Sequence, residues 1–428
     1  MDNQLESRRL TYDFVRDLIA KDEPDVEIIE VNEQPGSGRG DNYTSMLYRL
    51  KLNGRKRLNS KEWVPWCTEL IYKVLPESKV RRDAFKSELL FRNEVTFYTN
   101  VWPALEKLQT NDRKVFNGVA KIYVARSDLI VMEDLRRRGY VMADRREGLE
   151  VNRLKLVLKA LAGFHALSLT LRELRPNVFQ QLIDENNSNC VREGLFHVEN
   201  EDWYRHYYRV AAKNAIAMVS EALPAQYEHE RNEIIEKFRA FLHEDIFFRT
   251  MCELVSTQGP FTVFCHGDCW TNNFLFSNEI ENEEVVYLVD FQLMRVGSLA
   301  LDLVNLLYCC ASGETRKAHM TSLLRHYHMH LMTALTTLNP SRSTKESSAM
   351  WELLNEEIRR CGRFGIGLAL DILPISTCDS DNAPDLYECA DESNEEIGRN
   401  IRGPPAGGTE CARLMTDLVL ELIHNQAL

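Results

Sequence analysis

No stretch of the chain approaches the roughly 18 uninterrupted apolar residues that a membrane helix needs, and the opening "MDNQLESRRL" has no apolar signal-peptide core. The expectation is a soluble, cytoplasmic protein with no membrane partner. Positive charge is short as well: 52 Lys and Arg stand against 64 Asp and Glu, a net charge of −12 at pH 7. A general nucleic-acid binder needs a basic face to displace phosphate counterions, so no nucleic-acid partner is expected. The 11 cysteines are odd in number and show no repeated spacing, which favours free thiols in a reducing compartment over a disulfide framework. Cys265 and Cys269 are close in sequence, but a zinc site usually brings two such pairs and no second pair stands out. There is no internal repeat.

What remains is a chain of 428 residues, 44% hydrophobic, more than one compact domain usually holds. Its first part reads as a small sheet with an internal helix. "QLESRRLTYDFVRDLIAK" spaces Leu10, Phe14, Leu18 and Ile19 at helical intervals. "DVEIIEVNEQ", "NYTSMLYRLKL" and "TELIYKVL" carry the β-branched and aromatic alternation of strands, and the glycines of "PGSGRGDN" suit a turn between the first two. "RRDAFKSELLFRNEVTFYTNVW" has helical spacing, and "VAKIYVA" and "LIVMEDL" read as two further strands. From Arg136 helical patterns take over. They begin with "VNRLKLVLKALAGFHALSLTLREL", continue over Trp203 to Val219 and Arg231 to Leu254, and run on from Leu299, Thr315 and Ser347 to "CARLMTDLVLELIHN". The segment from Cys378 to Glu396 is acidic and apolar-poor, and reads as a surface loop or mobile stretch.

One stretch interrupts this pattern. "FCHGDCWTNNFLF", Phe264 to Phe276, sets His266, Asp268, Trp270 and two asparagines between flanks that ask to be buried. Asp268 and Asn273 stand five residues apart, and Asp290 comes at the end of the strand-like "VVYLVDF". In kinases an Asp orients and deprotonates the attacking hydroxyl, while an Asn five residues on and a later Asp hold Mg²⁺. Hard Mg²⁺ takes oxygen ligands, and anionic phosphates need it for neutralisation. Asp268 is therefore the expected base, with Asn273 and Asp290 as metal ligands. His266 is expected to brace the loop through hydrogen bonds.

The matching parts lie upstream. Lys73 in "LIYKVLP" could reach the α- and β-phosphates of ATP, oriented by Glu94 on the next helix, with Glu88 as the competing partner. "GSGRG", with Gly38 and Gly40, could cover the phosphates with N–H groups, although it is neither G-x-G-x-x-G nor a P-loop. Backbone groups from Glu133 to Leu135 would meet the adenine edge. "EDWYRHYYRV" places Trp203 over Tyr207 and Tyr204 over Tyr208 at i, i+4 spacing. That aromatic face either walls an acceptor pocket, with Trp203 and Tyr207 as contacts, or fills the core. His165 and Trp270 read more readily as packed residues than as ligands.

"HGDCWTNNFLF" and then "LVDFQLMRVGSLALDLVNLL", with "GRGDNYTS", "YKVLP", "NEVTFY", "VMEDL" and "LAGFHALS" in the same order, resemble the CHK/ecdysteroid-kinase-like family, a branch of the aminoglycoside and choline phosphotransferase group. The resemblance runs from about residue 25 to at least residue 330. It implies a two-lobed, α+β, protein-kinase-like fold with an ATP-binding lobe over residues 1–135 and a mostly helical catalytic lobe over residues 136–428. It also implies ATP- and Mg²⁺-dependent phosphorylation of a small-molecule alcohol, an ecdysteroid as the namesake substrate and an arthropod source; the sequence is silent on oligomeric state, and a monomer is the default expectation. DFQ stands where protein kinases have DFG, so a glycine-driven flip of Asp290 is not assumed. Two other classes stay open: a silent relative that binds a small lipid or hormone, and a metal-dependent hydrolase built on His266, Asp268 and Asp290.

Overall fold

The computed structural model describes residues 10–36, 44–59, 62–77, 79–84, 86–277, 285–342, 347–378 and 407–428. Gly38 and Gly40 therefore lie outside the described residues, as does all but Cys378 of the acidic segment.

Helix α1 (Tyr12–Ala20) is capped by the Thr11 side chain, which accepts from Phe14 N, and it lays Val15, Leu18 and Ile19 on the sheet. The sheet comprises β1 (Val26–Pro35), β2 (Met46–Asn59), β3 (Glu62–Val74), β4 (Ile122–Arg126) and β5 (Leu129–Glu133). Every neighbouring pair is antiparallel, in the order β1-β2-β3-β5-β4. Register puts Lys73 of β3 between Leu47 of β2 and Ile130 of β5, near the middle of the sheet. Tyr72, its neighbour, points to the other face and is fully buried against the α1 side.

The helical stretch after β3 is one helix by its spacing but several pieces in the structure. Lys86, at φ 51°, separates α2 (Lys79–Ala84) from α3 (Ser87–Thr96). A single π turn over Phe97–Val101 then leads into α4 (Trp102–Glu106). The extra residue of a π turn rotates the helix beyond it, and here Phe97 meets the ring of Phe291 face to face at 3.5 Å between centroids.

The helical region is built around α5 (Val151–Leu174), apolar on most of its surface and buried continuously from Leu161 to Leu171. Among the described helices α5 alone has the length and apolarity of a membrane span, and 78% of that window is buried inside the protein. Its apolar girth is explained by protein on all sides. Pro176 at the first turn opens α6 (Pro176–Ile183), which the spacing analysis did not anticipate. Next come α7 (Glu201–Ala222), α8 (Arg231–Phe241) and α9 (Glu244–Ser256). The stretch expected as one helix is divided at His243, whose extended backbone and ring, accepting from Asp245 N, start α9 afresh.

Short strands then carry the polar stretch. β6 (Tyr140–Met142), β8 (Phe274–Ser277) and β9 (Tyr287–Leu288) form one small antiparallel sheet, and β7 (Thr262–Cys265) pairs with β10 (Arg295–Ser298). β6 and β10 were not legible in the residue pattern. Helices α10 (Ala300–Cys310), α11 (Gly313–Leu338), α12 (Ser347–Ser376) and α13 (Thr409–His424) complete the region. The result is a mixed α+β protein with an antiparallel-sheet N-terminal region and a helical C-terminal region.

Gly163 shows how tightly these parts meet. A Cβ there would lie 2.3 Å from the Val115 carbonyl oxygen, a backbone atom that cannot swing away. Gly163→Ala is expected to destabilise the protein by about 1–3 kcal/mol through overpacking. A thermal or denaturant midpoint equal to that of the parent protein would contradict this.

Candidate active site

Between the sheet and the helical region lies a cleft of about 900 Å³, lined by Lys73, Glu94, Asp134, Asn273, Val289 and Asp290 among others. Lys73 rises from β3 into it. Its Nζ lies 2.9 Å from Glu94 Oε2 on α3 and 2.9 Å from Asp290 Oδ1. Glu88 pairs with Arg82 on the surface and takes no part. Burial works against the Lys73 charge, but the Asp290 and Glu94 carboxylates outweigh it and hold the ammonium protonated above its ordinary range. Burial pushes Glu94 up; Lys73 pulls it down and the Asp290 charge pushes it further up.

Asp268 lies just past β7 on a loop held from behind. His266 N donates to Asp302 Oδ2 at 2.7 Å and Gly267 N donates to Asp302 Oδ1 at 2.9 Å. Asp302, on α10, is in turn bonded by His165 Nε2 at 3.1 Å, and His165 Nδ1 meets the Tyr327 hydroxyl at 2.8 Å. A carboxylate accepts only, so His165 carries its proton on Nε2 and its Nδ1 accepts from Tyr327. His165 is a satisfied core histidine. Burial pushes the Asp302 carboxyl up, yet the hydrogen bond from His165, the favourable electrostatics of the two imidazoles and the Gly267 N–H leave it below its ordinary value.

His266 itself is buried and held neutral by desolvation. Its Nε2 lies 2.9 Å from the Val289 carbonyl, which fixes the proton there, and Nδ1 accepts from Asp268 N at 3.3 Å. One ring thus ties the Asp268 loop to the residue preceding Asp290. Gly267 between them has φ 88°, and a Cβ on it would lie 1.8 Å from the Leu293 carbonyl oxygen. Both facts require glycine.

The Asp268 carboxyl is part-buried and faces Asn273, which lines the cleft. Asn273 Nδ2 donates to Asp268 O and to Asp268 Oδ2, each at 2.9 Å. That orients the Asn273 amide and turns its oxygen away from Asp268. Burial, with the charge of Asp290 adding to it, pushes Asp268 up to about 7, against the pull of Asn273, Arg295 and Trp270. Trp270 is partly buried against the helical core. Asp290 has left-handed backbone angles, φ 66° and ψ 69°, uncommon for a residue other than glycine. Its Oδ1, although 2.9 Å from Lys73 Nζ, meets no donor in hydrogen-bond geometry.

Buried Glu94 and part-buried Asp290 thus converge on one ammonium, and the part-buried Asp268 carboxyl lies close enough for the Asp290 charge to raise it. The oxygens offered toward the cleft, from Asp290 and from the Asn273 amide, are hard donors of the kind Mg²⁺ takes. The donor set fits a divalent cation.

At the rim, Glu133 N donates to Lys121 O and Asp134 N donates to Glu69 O, so the chain past β5 is pinned to its neighbours. The Glu133 carboxylate accepts from Lys121 N at 2.8 Å. Leu135 is buried and lines the cleft. Asp134 pairs with Arg49 of β2 and accepts from Arg136 N at 3.0 Å.

The residues proposed for the acceptor are elsewhere. Tyr204 and Tyr208 are buried and stacked on each other at 5.5 Å, and Tyr204 stacks on Phe248 as well, so these two rings fill core. Tyr207 is partly buried against the same core and meets Tyr208 edge to face. Trp203 lies on α7, with its side chain outside what is described. Among the described side chains, Tyr204, Tyr207 and Tyr208 do not line the cleft. Asp302 is the site residue that the sequence analysis missed. Its signal was there: an aspartate inside the otherwise apolar run "LALDLVNLL".

The sequence profile of the ecdysteroid kinase-like family matches residues 39–340. The chain belongs to this family, one of kinase-like phosphotransferases. Among solved structures it is similar to Plasmodium vivax ethanolamine kinase, with 16% identity, a TM-score of 0.39, and coverage of 83% of this chain and 77% of that one. It is also similar to the choline kinase of Streptococcus pneumoniae, with 13% identity, a TM-score of 0.33, and coverage of 81% and 98%. A microcompartment-associated aminopropanol kinase matches at 12% identity and a TM-score of 0.37, over 96% of each chain. No curated protein matches the chain.

The sign of the Asp268 shift gives a stability prediction for the metal-free protein. A carboxyl raised on folding costs stability as pH climbs from its unfolded value near 4 through about 7, and costs none below that window. Asp268→Asn is expected to raise stability at pH 8, by on the order of 1–3 kcal/mol, and to leave it nearly unchanged at pH 4. Equal or lower stability of the variant at pH 8 would count against a strained, buried Asp268.

Proposed function

We propose that this protein transfers the γ-phosphoryl group of Mg²⁺-bound ATP to a hydroxyl of a small-molecule alcohol, with an ecdysteroid or related hydroxylated molecule as acceptor. The observation that carries this reading is the convergence of Lys73, Glu94, Asn273 and Asp290, from four separate segments, on one cleft, with Asp268 bonded to Asn273 beside it. Family membership supports the reaction class.

In this reading Lys73, oriented by Glu94, binds the α- and β-phosphates as a fixed cation. Asn273 and Asp290 are the protein oxygens that would hold Mg²⁺, which supplies charge neutralisation of the phosphates when bound. Backbone groups from Glu133 to Leu135 meet the adenine edge, and the segment with Gly38 and Gly40 covers the phosphates. Asp268 accepts the proton of the acceptor hydroxyl as its oxygen bonds to the γ-phosphorus. The bond from that phosphorus to the β,γ-bridging oxygen breaks, and ADP leaves. A carboxyl raised by burial is a stronger base once ionised than one in water, which suits it to this step. His266 and Asp302 position it. Phosphoryl transfer asks the protein mainly for positioning and charge compensation, and the cluster supplies both.

The test is ADP formation by the full chain with Mg²⁺ and ATP against ecdysteroids, choline, ethanolamine and hydroxylated xenobiotics. Acceptor-dependent turnover is expected for at least one ecdysteroid, falling roughly 10²- to 10⁴-fold in Asp268→Asn. Asp290→Ala is expected to lose Mg²⁺-dependent nucleotide affinity. Acceptor binding without ATP consumption would replace this reading with that of a silent binder, and phosphate release without ATP would point to a hydrolase.

A further inference from the structure

Helix α3 brings Glu94 to Lys73, but one of its faces is held by a segment that comes from the helical region. That segment is the connection between α6 and α7, residues 184–200, longer than most connections in compact proteins. It meets α3 at three places. Asn93, fully buried, pairs with the backbone of Arg192: its Nδ2 donates to Arg192 O at 2.7 Å and its Oδ1 accepts from Arg192 N at 3.2 Å. The amide thus serves Arg192 as the facing residue of an antiparallel strand would. Gly194 lies so close to the helix that a Cβ on it would be 2.6 Å from Leu90 Cδ2. Lys86, the residue before α3, donates through Nζ to Asn200 Oδ1, and Asn200 Nδ2 donates in turn to Gly194 O at 3.1 Å and Leu195 O at 3.0 Å.

Lys86, Leu90 and Asn93 follow the i, i+4, i+7 spacing of one helix face. Glu94 is the next residue, about 100° further round the helix, and there it reaches Lys73 Nζ at 2.9 Å. The grip and the ion pair therefore use neighbouring faces of one short helix. The same connection also reaches the Asp268 side. Glu193 accepts from Leu195 N at 2.8 Å and Phe196 N at 3.0 Å through Oε1, and from Arg295 Nε at 2.8 Å through Oε2. Arg295 is buried on β10, in register with Cys265, the residue before His266. Three consecutive residues, Arg192, Glu193 and Gly194, thus tie α3 to the strand beside the Asp268 loop.

The helix has little to hold its own start. Lys86 has left-handed backbone angles and gives α3 no side-chain cap. Resting on the kinase reading above, we propose that residues 192–200 brace α3 so that Glu94 stays against Lys73 before nucleotide binds, and that Asn93 is the positioning residue through which the brace acts. Without that grip α3 samples other placements. Nucleotide then binds well only to the fraction of molecules with Glu94 in place, and its apparent affinity falls by that fraction.

The experiment compares the full chain with Asn93→Ala, with Lys86→Met, which removes the ammonium and keeps the apolar stem, and with Gly163→Ala as a variant destabilised away from the brace. Two quantities are read at a temperature where each variant is folded: amide hydrogen exchange of the metal-free protein, and affinity for a non-hydrolysable ATP analogue with Mg²⁺. Asn93→Ala is expected to exchange on the order of tenfold faster over α3 and to bind the analogue roughly 3- to 10-fold more weakly. Lys86→Met moves both in the same direction by about 2- to 3-fold, and carries the test if Asn93→Ala does not fold. Gly163→Ala keeps parental affinity and parental exchange over α3. Parental affinity in both brace variants, or an equal loss in Gly163→Ala, would overturn the proposal and leave Asn93 a residue of general stability. If the parent chain binds no nucleotide, the kinase reading fails and exchange alone decides: faster exchange confined to α3 upholds the brace, and parental exchange removes it.

Discussion

The ammonium of Lys73 holds together three segments that the chain delivers from far apart: the centre of the sheet, the helix that comes after it, and the turn after β9. With Nζ 2.9 Å from both Glu94 and Asp290, one cation answers two carboxylates, and the Asp268 carboxyl lies close enough for Asp290 to raise it. Burying that much negative charge is costly unless a ligand completes the balance. A divalent cation would do so. The geometry of the cleft is in this sense an unfinished electrostatic arrangement, and the proposed reaction is what finishes it.

Behind the cleft is a second polar assembly that is already complete. Asp302 receives two consecutive backbone N–H groups of the Asp268 loop and one imidazole, and Tyr327 closes the chain. All members are buried, and each donor finds an acceptor. A satisfied network of this kind is rigid because every alternative arrangement leaves a buried polar group unpaired. It fixes the position of Asp268 without touching its carboxyl, which Asn273 orients by hydrogen bonding. Phe291, packed between Phe97 and His266, adds an apolar joint between this assembly and α3.

The sequence was informative wherever local pattern and site chemistry coincided. The β-branched alternation placed the strands that carry Lys73 and Glu133, and of the spaced residues Asp268, Asn273 and Asp290 the last two line one cleft while Asp268 bonds Asn273 beside it. It was silent where tertiary context decides. Glu94 and Glu88 lie on the same helix, and only the direction of its packing shows that the first faces Lys73 and the second Arg82. β10 is four residues long and exists because β7 offers an edge. The stacked pair Tyr204 and Tyr208 had equal claims as pocket wall and as core until Phe248 was seen against them. Asp302 escaped notice because a buried acid in an apolar helix reads as an exception to a packing rule, not as a strut for a loop more than thirty residues upstream.

The most direct test of the account is a crystal structure of the full chain with Mg²⁺ and a non-hydrolysable ATP analogue. The account predicts the metal on Asn273 and Asp290, Lys73 on the α- and β-phosphates, the adenine edge on the backbone between Glu133 and Leu135, and the γ-phosphate facing Asp268. A nucleotide bound outside this cleft, or a metal held by His266 in place of Asn273, would contradict it.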